Sequence, residues 1–434
     1  MAVLCGGCWG SIRRCRTVHL GVRRLQRGTP HNALLSACPP RPSDLPPVRP
    51  ACPSDPSDPP ASMKITCQRE SLTGAFALAA SIAPARSPKE ILQNVKVTAA
   101  GDKLTLTATD MEVGIRLDLS EGVEIHTEGT ALLPVARTMA ILRESNDETL
   151  TMETDDSGLR VKGSRSKFRL PGNNPDEFPA VKTFEEEKYH VVPTRLFREM
   201  VRRTVFATDP ESSRYALGGV LFELTGNDVL AVGTDGRRLA RMEGQGESVG
   251  EHATNGMTTI VPTRAIGLMQ RAIGDGEETI DVASVGNELL LRTKQAVIFS
   301  RLVEGRYPAW RQVLPARENA TQIDMTVGPL FSALRQAAIV TDHESRGIDF
   351  TFGDGTLKLE ASTAEIGDSQ IELPIAYDGD EITLTMDHRY VADFCKVLDA
   401  ETQFILEVES SSSPALLTTD DGYAYVIMPM ARDR

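Results

Sequence analysis

The sequence predicts an α+β protein made of three repeated domains, each with two helices packed on antiparallel sheets. Two motifs indicate the repeat: Val-Pro-Thr-Arg occurs at 192–195 and again at 261–264, and Thr-Asp occurs at 109–110 and again, 125 positions later, at 234–235. A third observation gives the strands. Short segments of alternating apolar and polar residues, separated by Gly, Asn or Asp, follow the predicted helices, as expected of β-hairpins.

Six amphipathic helices are predicted, each beginning where an apolar strand ends. Proline recurs at these junctions, and it suits the first helical turn because its missing N–H has no intrahelical partner there. The expected helices cover residues 71–83, 132–143, 194–207, 262–273, 329–341 and 387–398. One strand before each helix and three after it give eight strands per domain, and we expect domains at 63–182, 183–315 and 316–434.

The charge is distributed unevenly over the 434 residues, whose formal net charge is −13. This acidic balance argues against an outer surface that binds nucleic acid, and no apolar run approaches the roughly 18 residues of a membrane span. The predicted helices differ, because they carry eleven basic and only three acidic residues. Arg195, Arg198 and Arg202 share one helix face. We therefore predict a helical surface that meets a polyanion without sequence preference.

Residues 1–62 differ in composition from the rest, since they hold five of the seven Cys and eleven of the 26 Pro. Only Cys5 and Cys8 form a pair with the spacing of zinc ligands, and arginines interrupt the one apolar segment that a secretory signal would need. An Arg-rich transit peptide is a further alternative. We expect a disordered leader outside the functional protein, which would begin at Met63.

Catalytic motifs are missing from the sequence, which has neither a Gly-x4-Gly-Lys-Ser/Thr phosphate loop nor a His-Glu-x-x-His zinc motif. Asp110 and Asp235 could form a carboxylate pair for acid–base or metal chemistry. Because they occupy equivalent positions of a repeat, a role in strand-end turns is the better interpretation. We predict a non-catalytic protein without cofactor or metal. The alternatives are an enzyme that uses Asp110 or Asp235, and a structural or signalling oligomer that binds no nucleic acid.

Three separated segments are recognisable: residues 63–66 (Met-Lys-Ile-Thr), 301–308 (Arg-Leu-Val-Glu-Gly-Arg-Tyr-Pro) with 313–315 (Val-Leu-Pro), and 424–430 (Ala-Tyr-Val-Ile-Met-Pro-Met). In this order they resemble the bacterial β sliding clamp, the processivity subunit of the bacterial replicative DNA polymerase. The resemblance covers residues 63–434. The threefold repeat agrees with it.

The resemblance implies a head-to-tail homodimer that closes a ring around double-stranded DNA and tethers the replicative DNA polymerase for processive chromosome replication. Further implied partners are the clamp loader and repair proteins with a clamp-binding motif. A cytoplasmic protein without membrane contact is also implied. Such a ring can remain on DNA and still slide, because phosphate contacts fix no sequence register.

The resemblance, together with the helix charges, assigns three groups of residues. Partner peptides would bind between the second and third domains, in a groove formed by Leu217, Thr234, Gly236, Arg237, Arg238, Leu239, Pro308, Val313, Val426, Met428, Pro429 and Met430. DNA would contact Arg86, Arg137, Arg198, Arg202, Arg214, Tyr215 and Arg264. The dimer interface would contain Phe168, Leu170, Ile339 and Val340.

The chain departs from the family pattern at three places. Residues 431–434 follow Met-Pro-Met, where a basic residue and Leu usually end the chain. Arg237 stands where many relatives carry His, which would make the edge of the groove more basic. Ala216 replaces one of two neighbouring aromatic residues near the second domain's first helix.

Overall fold

Six α-helices recur at regular intervals in the part of the chain that the computed structural model describes, residues 62–155, 158–212, 216–254, 258–314, 320–342 and 346–430. The expected leader, residues 1–62, lies almost entirely outside these ranges. All six predicted helices are confirmed, with ends that differ by up to four residues from the predicted ones. The helices are α1 (Arg69–Ala80), α2 (Val135–Glu144), α3 (Thr194–Thr204), α4 (Thr263–Ala272), α5 (Val327–Ala337) and α6 (His388–Lys396).

The strands fall into three successive sets, called repeats I, II and III. Repeat I contains β1 (Lys64–Gln68), β2 (Asn94–Ala100), β3 (Lys103–Thr109), β4 (Val113–Leu119), β5 (Val123–Thr127), β6 (Gly129–Pro134), β7 (Thr149–Asp155), β8 (Gly158–Lys162) and β9 (Lys167–Leu170). Repeat II contains β10 (Tyr189–Pro193), β11 (Gly219–Thr225), β12 (Asp228–Thr234), β13 (Arg238–Gln245), β14 (Glu247–Val249), β15 (Ile260–Pro262), β16 (Thr279–Val285), β17 (Glu288–Arg292) and β18 (Ala296–Arg301).

Repeat III contains β19 (Thr321–Thr326), β20 (Gly347–Gly353), β21 (Thr356–Thr363), β22 (Gly367–Pro374), β23 (Ile382–Asp387), β24 (Gln403–Val408), β25 (Ala415–Thr418) and β26 (Tyr423–Ile427). The predicted eight strands are thus found in repeat III. The prediction was wrong for the described parts of repeats I and II, which add β5 and β14. Both additions lie at sheet edges, where one-sided pairing requires no clear alternation in the sequence.

Proline ends the strand that precedes three of the helices. Pro134, Pro193 and Pro262 each close a strand and cap the following helix, with φ near −60°. This φ suits the strand end and the helix start equally, so the chain turns without a strained residue. The sequence had predicted proline near the first helical turn, and each of these prolines lies directly before it. Asp387 caps α6 differently, because its carboxylate accepts a hydrogen bond from the Arg389 amide at 3.0 Å.

Four antiparallel sheets result, and two of them run from one repeat into the next. A nine-stranded sheet has the order β14-β10-β16-β17-β18-β4-β3-β2-β6, and an eight-stranded sheet has the order β15-β11-β12-β13-β26-β25-β24-β19. We call the β4–β18 pairing the first seam and the β13–β26 pairing the second seam. The other two sheets, β5-β1-β7-β8-β9 and β22-β21-β20-β23, are confined to repeats I and III.

The first seam requires a glycine. Gly114 of β4 lies opposite Phe299 of β18, and a Cβ atom on Gly114 would come within 2.2 Å of the Phe299 ring. Any larger residue would push the ring out of a buried site. The two strands therefore approach closely enough to pair through their backbones.

Each helix packs an apolar face onto the sheets. Phe76 of α1, Phe197 of α3 and Phe394 of α6 are buried in one continuous core with the inward strand residues. Burial of a side chain of this size stabilises the fold by about 1.5–3 kcal/mol. This packing fixes the opposite helix faces toward solvent.

A buried histidine pair supports the region around edge strand β14. The Nδ1 atoms of His190 and His252 lie 2.7 Å apart, His190 Nε2 lies 2.9 Å from the Gly226 carbonyl, and His252 Nε2 lies 3.1 Å from the Ser284 amide. A carbonyl only accepts and an amide only donates, so His190 carries its proton on Nε2 and His252 carries its proton on Nδ1. Both rings are neutral, and burial lowers the pKa of each.

Candidate functional site

The solvent face of α3 is basic. Arg195, Arg198 and Arg202 are exposed, whereas Phe197 and Met200 on the same helix are buried. The helical spacing of 3.6 residues per turn separates the two sets, as predicted from the sequence. A row of guanidinium groups on a helix surface is suited to contact successive phosphates.

Arg203 does not belong to this basic surface, although the sequence count included it. Only 7% of the residue is exposed, and its guanidinium donates to Glu199 at 2.9 Å and to Asp421 at 2.7 Å. It also lies over the Tyr423 ring, 5.3 Å from the centroid. Its charge is neutralised inside the protein and is not available to a polyanion.

The other predicted DNA contacts are only partly described. Arg86, in the loop after α1, and Arg137 on α2 are exposed. Arg264 is exposed too, but its guanidinium forms an ion pair with Asp110 across the first seam. The two remaining candidates, Arg214 and Tyr215, lie outside the described residues.

The two Thr-Asp motifs form the same turn at the two seams. At the second seam, the Thr234 hydroxyl donates to the Arg238 carbonyl at 2.6 Å. Asp235 Oδ1 accepts from the amides of Arg237 and Arg238 at 2.9 and 3.0 Å. The turn closes when the Met428 amide donates to the Arg237 carbonyl at 2.9 Å.

The first seam repeats this pattern with different side chains. Asp110 Oδ1 accepts from the amides of Glu112 and Val113 at 3.0 and 2.7 Å, and the Arg301 amide donates to the Glu112 carbonyl at 2.9 Å. The predicted turn role of Asp110 and Asp235 is therefore confirmed. Each carboxylate binds backbone amides and one arginine, which leaves neither arranged for acid–base chemistry.

Arg238 joins repeats II and III at the second seam. Its guanidinium donates to Asp235 at 3.1 Å and to the Phe206 carbonyl at 2.7 Å in repeat II, and to Asp393 at 2.7 Å in repeat III. Its side chain is 10% exposed. Burial alone would lower the pKa of Arg238, but Tyr425 and the two carboxylates outweigh burial and raise it.

A groove of about 550 Å³ opens beside this arginine, between repeats II and III. Ten of the twelve residues predicted for the peptide groove line it. Pro429 and Met430 do not belong to the lining, and the Met430 amide instead donates to the Thr385 carbonyl at 2.8 Å. The sequence had not indicated five further lining residues: Arg306, Ala309, Trp310, Gln312 and Pro414.

A small apolar cluster forms the floor of the groove. Leu217, Leu239 and Val426 are buried there together with Trp310, on the sheet face away from the main core. The segment that contains Tyr307 covers this cluster, and the Tyr307 hydroxyl donates to the Val232 carbonyl at 2.8 Å. The motif at 301–308 thus has a structural role, since it holds one wall of the groove.

Trp310 is the missed groove residue that the sequence indicates most directly. It lies between Pro308 and Val313, two residues that the prediction included, and a tryptophan in that segment is bulky enough to form a wall. Its indole N–H donates to Glu223 at 3.3 Å. Pro414 lies about a hundred positions further along the chain, and nothing in the sequence around it indicates a place in the groove.

Two open edge strands carry opposite charges. On β9, Lys167, Phe168 and Arg169 are exposed, with 39% of Phe168 accessible. On β22, Asp368 and Glu372 are exposed. Each strand lies at the end of its sheet, so no other strand of the described chain pairs with the backbone N–H and C=O groups on its outer side.

The predicted interface residues differ in exposure. Ile339, which follows α5, is 74% exposed, whereas Leu170 is already buried and Val340 is half-buried. The Thr363 hydroxyl donates to the Val340 carbonyl at 2.6 Å, which ties this helix end to β21. Ile339 therefore lies beside the sheet that β22 terminates.

Within the described ranges, no group of three or more His, Cys, Asp or Glu side chains is arranged to hold a metal ion. None of the described helices combines the length and the apolar character needed to cross a membrane.

Profiles of three protein-family domains match the chain in order. They are the N-terminal, central and C-terminal domains of the DNA polymerase III beta subunit, and they match residues 63–182, 191–309 and 311–431. Together they cover most of the chain, including both seams.

Relatives and solved structures agree with these matches. The beta sliding clamp of Pseudomonas putida KT2440 is 30% identical over 378 residues, which are 85% of this chain and all of that protein. A sliding clamp structure from Pseudomonas aeruginosa, solved with griselimycin, is 26% identical with a TM-score of 0.79, over 86% of this chain and 100% of that one. The Bacillus subtilis clamp shares the fold, with a TM-score of 0.80 at 21% identity over 85% and 99% of the two chains. The chain therefore belongs to the DNA polymerase III beta subunit family, the bacterial β sliding clamps.

Proposed function

We propose that this chain is a DNA sliding clamp, a non-catalytic subunit that encircles double-stranded DNA and tethers the replicative DNA polymerase. The observation that carries the proposal is the exposed basic face of α3 on a chain of net charge −13. Phosphate contacts by such a face are independent of sequence and allow sliding. Arg86, Arg137, Arg198, Arg202 and Arg264 would line the hole, with Arg214 and Tyr215 as further contacts. The enzyme alternative has no support, since Asp110 and Asp235 are engaged in turns.

The ring would form from two copies joined head to tail. Edge strand β9 of one copy would pair with β22 of the other, so that Lys167 and Arg169 meet Asp368 and Glu372. Pairing would remove both open edges and cover Phe168 and Ile339. We place the domains at 63–182, 183–315 and 316–434, and the protein in the cytoplasm.

The groove at the second seam would bind clamp-binding segments of the polymerase, the clamp loader and repair proteins. It combines an apolar floor with Met428, a side chain flexible enough to adapt to different peptides. The family resemblance supports the same assignment, and Pro429 and Met430 would contribute only at its outer limit.

Retention on DNA tests the ring. The clamp loader would load labelled protein onto nicked circular DNA, and gel filtration would then measure what stays bound. We expect long retention on circles and rapid release once a restriction enzyme linearises them. Equally fast release from both would contradict topological closure. Replacing Arg195, Arg198 and Arg202 by Gln should weaken loading and reduce its salt dependence.

The groove is tested separately from the ring. We expect Met428→Ala combined with Leu239→Ala to weaken polymerase binding while the dimer persists in sedimentation. Met111→Ala is the matched control, because Met111 has a similar exposure, 37% against 40%, and lies at the first seam. Dissociation of the double variant into monomers would show that the groove is misplaced.

A further inference from the structure

The two open edge strands differ in how firmly their own sheets hold them. Strand β22 has eight residues, all paired with β21, and its Ser369 hydroxyl donates to the Ala337 carbonyl at the end of α5, at 2.9 Å. Strand β9 has only four residues, which pair with β8. A short strand with one neighbouring strand opens easily by local unfolding. Strand β9 is therefore the edge whose position needs support from outside its sheet.

One carboxylate binds the hairpin that leads from β8 into β9. Asp147, between α2 and β7, accepts from the Ser164 amide at 3.0 Å, from the Ser164 hydroxyl, and from the Ser166 hydroxyl at 3.2 Å. The Ser145 hydroxyl also donates to it, at 3.3 Å. The hydroxyl and the amide of Ser164 hold the pKa of Asp147 below its ordinary value. The group is therefore ionised at neutral pH, and its hydrogen bonds are of the strong, charge-assisted kind.

The backbone around Asp147 is fixed to the start of α1. Arg69 Nε donates to the Asp147 carbonyl at 3.1 Å, and Arg69 Nη1 donates to the Leu142 carbonyl at 3.3 Å. The Arg69 amide donates to the Glu148 carbonyl at 2.9 Å. The carboxylate therefore projects from a support that α1 and α2 share, and it transmits the position of that support to the hairpin.

Glycines allow both ends of the β8–β9 hairpin to fit closely. A Cβ atom on Gly163 would overlap the Asp147 carboxylate and would come within 2.6 Å of the Ser166 hydroxyl. At the other end, a Cβ atom on Gly158 would overlap the Leu170 carbonyl, which is the last of β9. The hairpin is thus held at its tip by Asp147 and at its base by direct backbone contact.

We propose that Asp147 is a positioning residue for ring closure, because it holds the β8–β9 hairpin in the place from which β9 can pair with β22 of a second copy. This inference rests on the proposed function, since it takes β9 and β22 as the interface. Lys167 directly follows Ser166, so the bound hairpin tip also fixes where the basic edge begins. A strand that is already ordered loses less conformational freedom on association, which makes the dimer tighter.

Dimer affinity in variants of the full chain tests the proposal. Sedimentation with fluorescence detection over a dilution series would give each dissociation constant. We expect Asp147→Ala to weaken the dimer about tenfold. Asp147→Asn keeps one oxygen that can accept from Ser164, and its dimer should stay within about threefold of the unmodified chain. Asp118→Ala is the matched control and should leave the dimer unchanged. It removes a carboxylate that accepts from Thr105 at 2.7 Å and from Lys103 at 2.9 Å, on β4 in the other sheet of repeat I.

Hydrogen exchange measured by mass spectrometry separates positioning of the hairpin from support of the whole domain. In Asp147→Ala, we expect faster exchange in peptides that cover residues 158–170, whereas peptides from α1 and from β2 to β4 should exchange as in the unmodified chain. Faster exchange throughout repeat I would show that the carboxylate stabilises the domain in general, and this would overturn the positioning role.

The remaining outcomes distinguish the inference from the proposed ring. If Asp147→Ala dimerises as tightly as the unmodified chain, or if Asp118→Ala weakens the dimer equally, Asp147 has no special part in closure and the ring itself is unaffected. If the unmodified chain is a monomer at every concentration, both the ring and the inference are contradicted.

Discussion

Replacement of Arg238 by methionine tests whether its guanidinium holds the second seam together. The change keeps an apolar side chain at the seam but leaves Asp235 and Asp393 without their arginine. Loss of one partner of a buried ion pair costs about 3–5 kcal/mol. We expect about 2–3 kcal/mol here, because Asp393 is 27% exposed and keeps Lys396 at 2.9 Å.

Thermal unfolding followed by circular dichroism would measure this loss. At roughly 2–4 °C per kcal/mol, the midpoint should fall by about 4–12 °C. Arg237→Met is the matched control. The Arg237 side chain, next in sequence, is exposed, so this substitution should change the free energy of unfolding by less than about 0.5 kcal/mol. Arg238→Lys should recover only part of the loss, because an ammonium group cannot reproduce the planar set of donors. If Arg238→Met and Arg237→Met unfold at the same temperature, the seam does not depend on this guanidinium.

Three further predictions concern other parts of the chain. Folding lowers the pKa values of His190 and His252. The stability that these two rings contribute should therefore be complete above about pH 6.5, and it should be lost as the pH falls through their pKa values in the folded protein. We expect His252→Gln to flatten the pH dependence of the urea unfolding midpoint. Gly114→Ala should destabilise the chain by about 1–3 kcal/mol in urea unfolding, whereas Gly267→Ala, where a Cβ atom meets nothing within 4 Å, should not. Phe168→Glu should place a like charge opposite β22 and shift the sedimentation profile toward monomers; an unchanged dimer would place the interface elsewhere.

Much of the fold could be predicted because the sequence repeats itself. Proline at strand ends located α2, α3 and α4, and the alternating segments after them identified the hairpins. The helix ends were less well predicted, since α3 stops at Thr204 and the next residues tighten into a short 3₁₀ turn. That change depends on packing against β12 and β13, which a local pattern does not contain.

The candidate site was predictable only in part, for a similar reason. A count of helix charges cannot distinguish Arg202, which is exposed, from Arg203, whose partner Asp421 lies 218 positions away. Met430 was assigned to the groove by its place in a motif, but its backbone pairs with Thr385 and turns it aside. Long-range hydrogen bonds decide such positions.

In the proposed ring, the unequal turns at the two seams would limit how many proteins can bind at the same time. A repeated domain could offer the same peptide groove at each seam. At the first seam, however, the side chains of Glu112 and Arg301 form an ion pair at the equivalent place. A dimer would then present two grooves for all of its partners. With both grooves occupied, one bound protein would have to dissociate before a third could bind. The order in which partners act on DNA would then depend on how long each stays bound and on its local concentration.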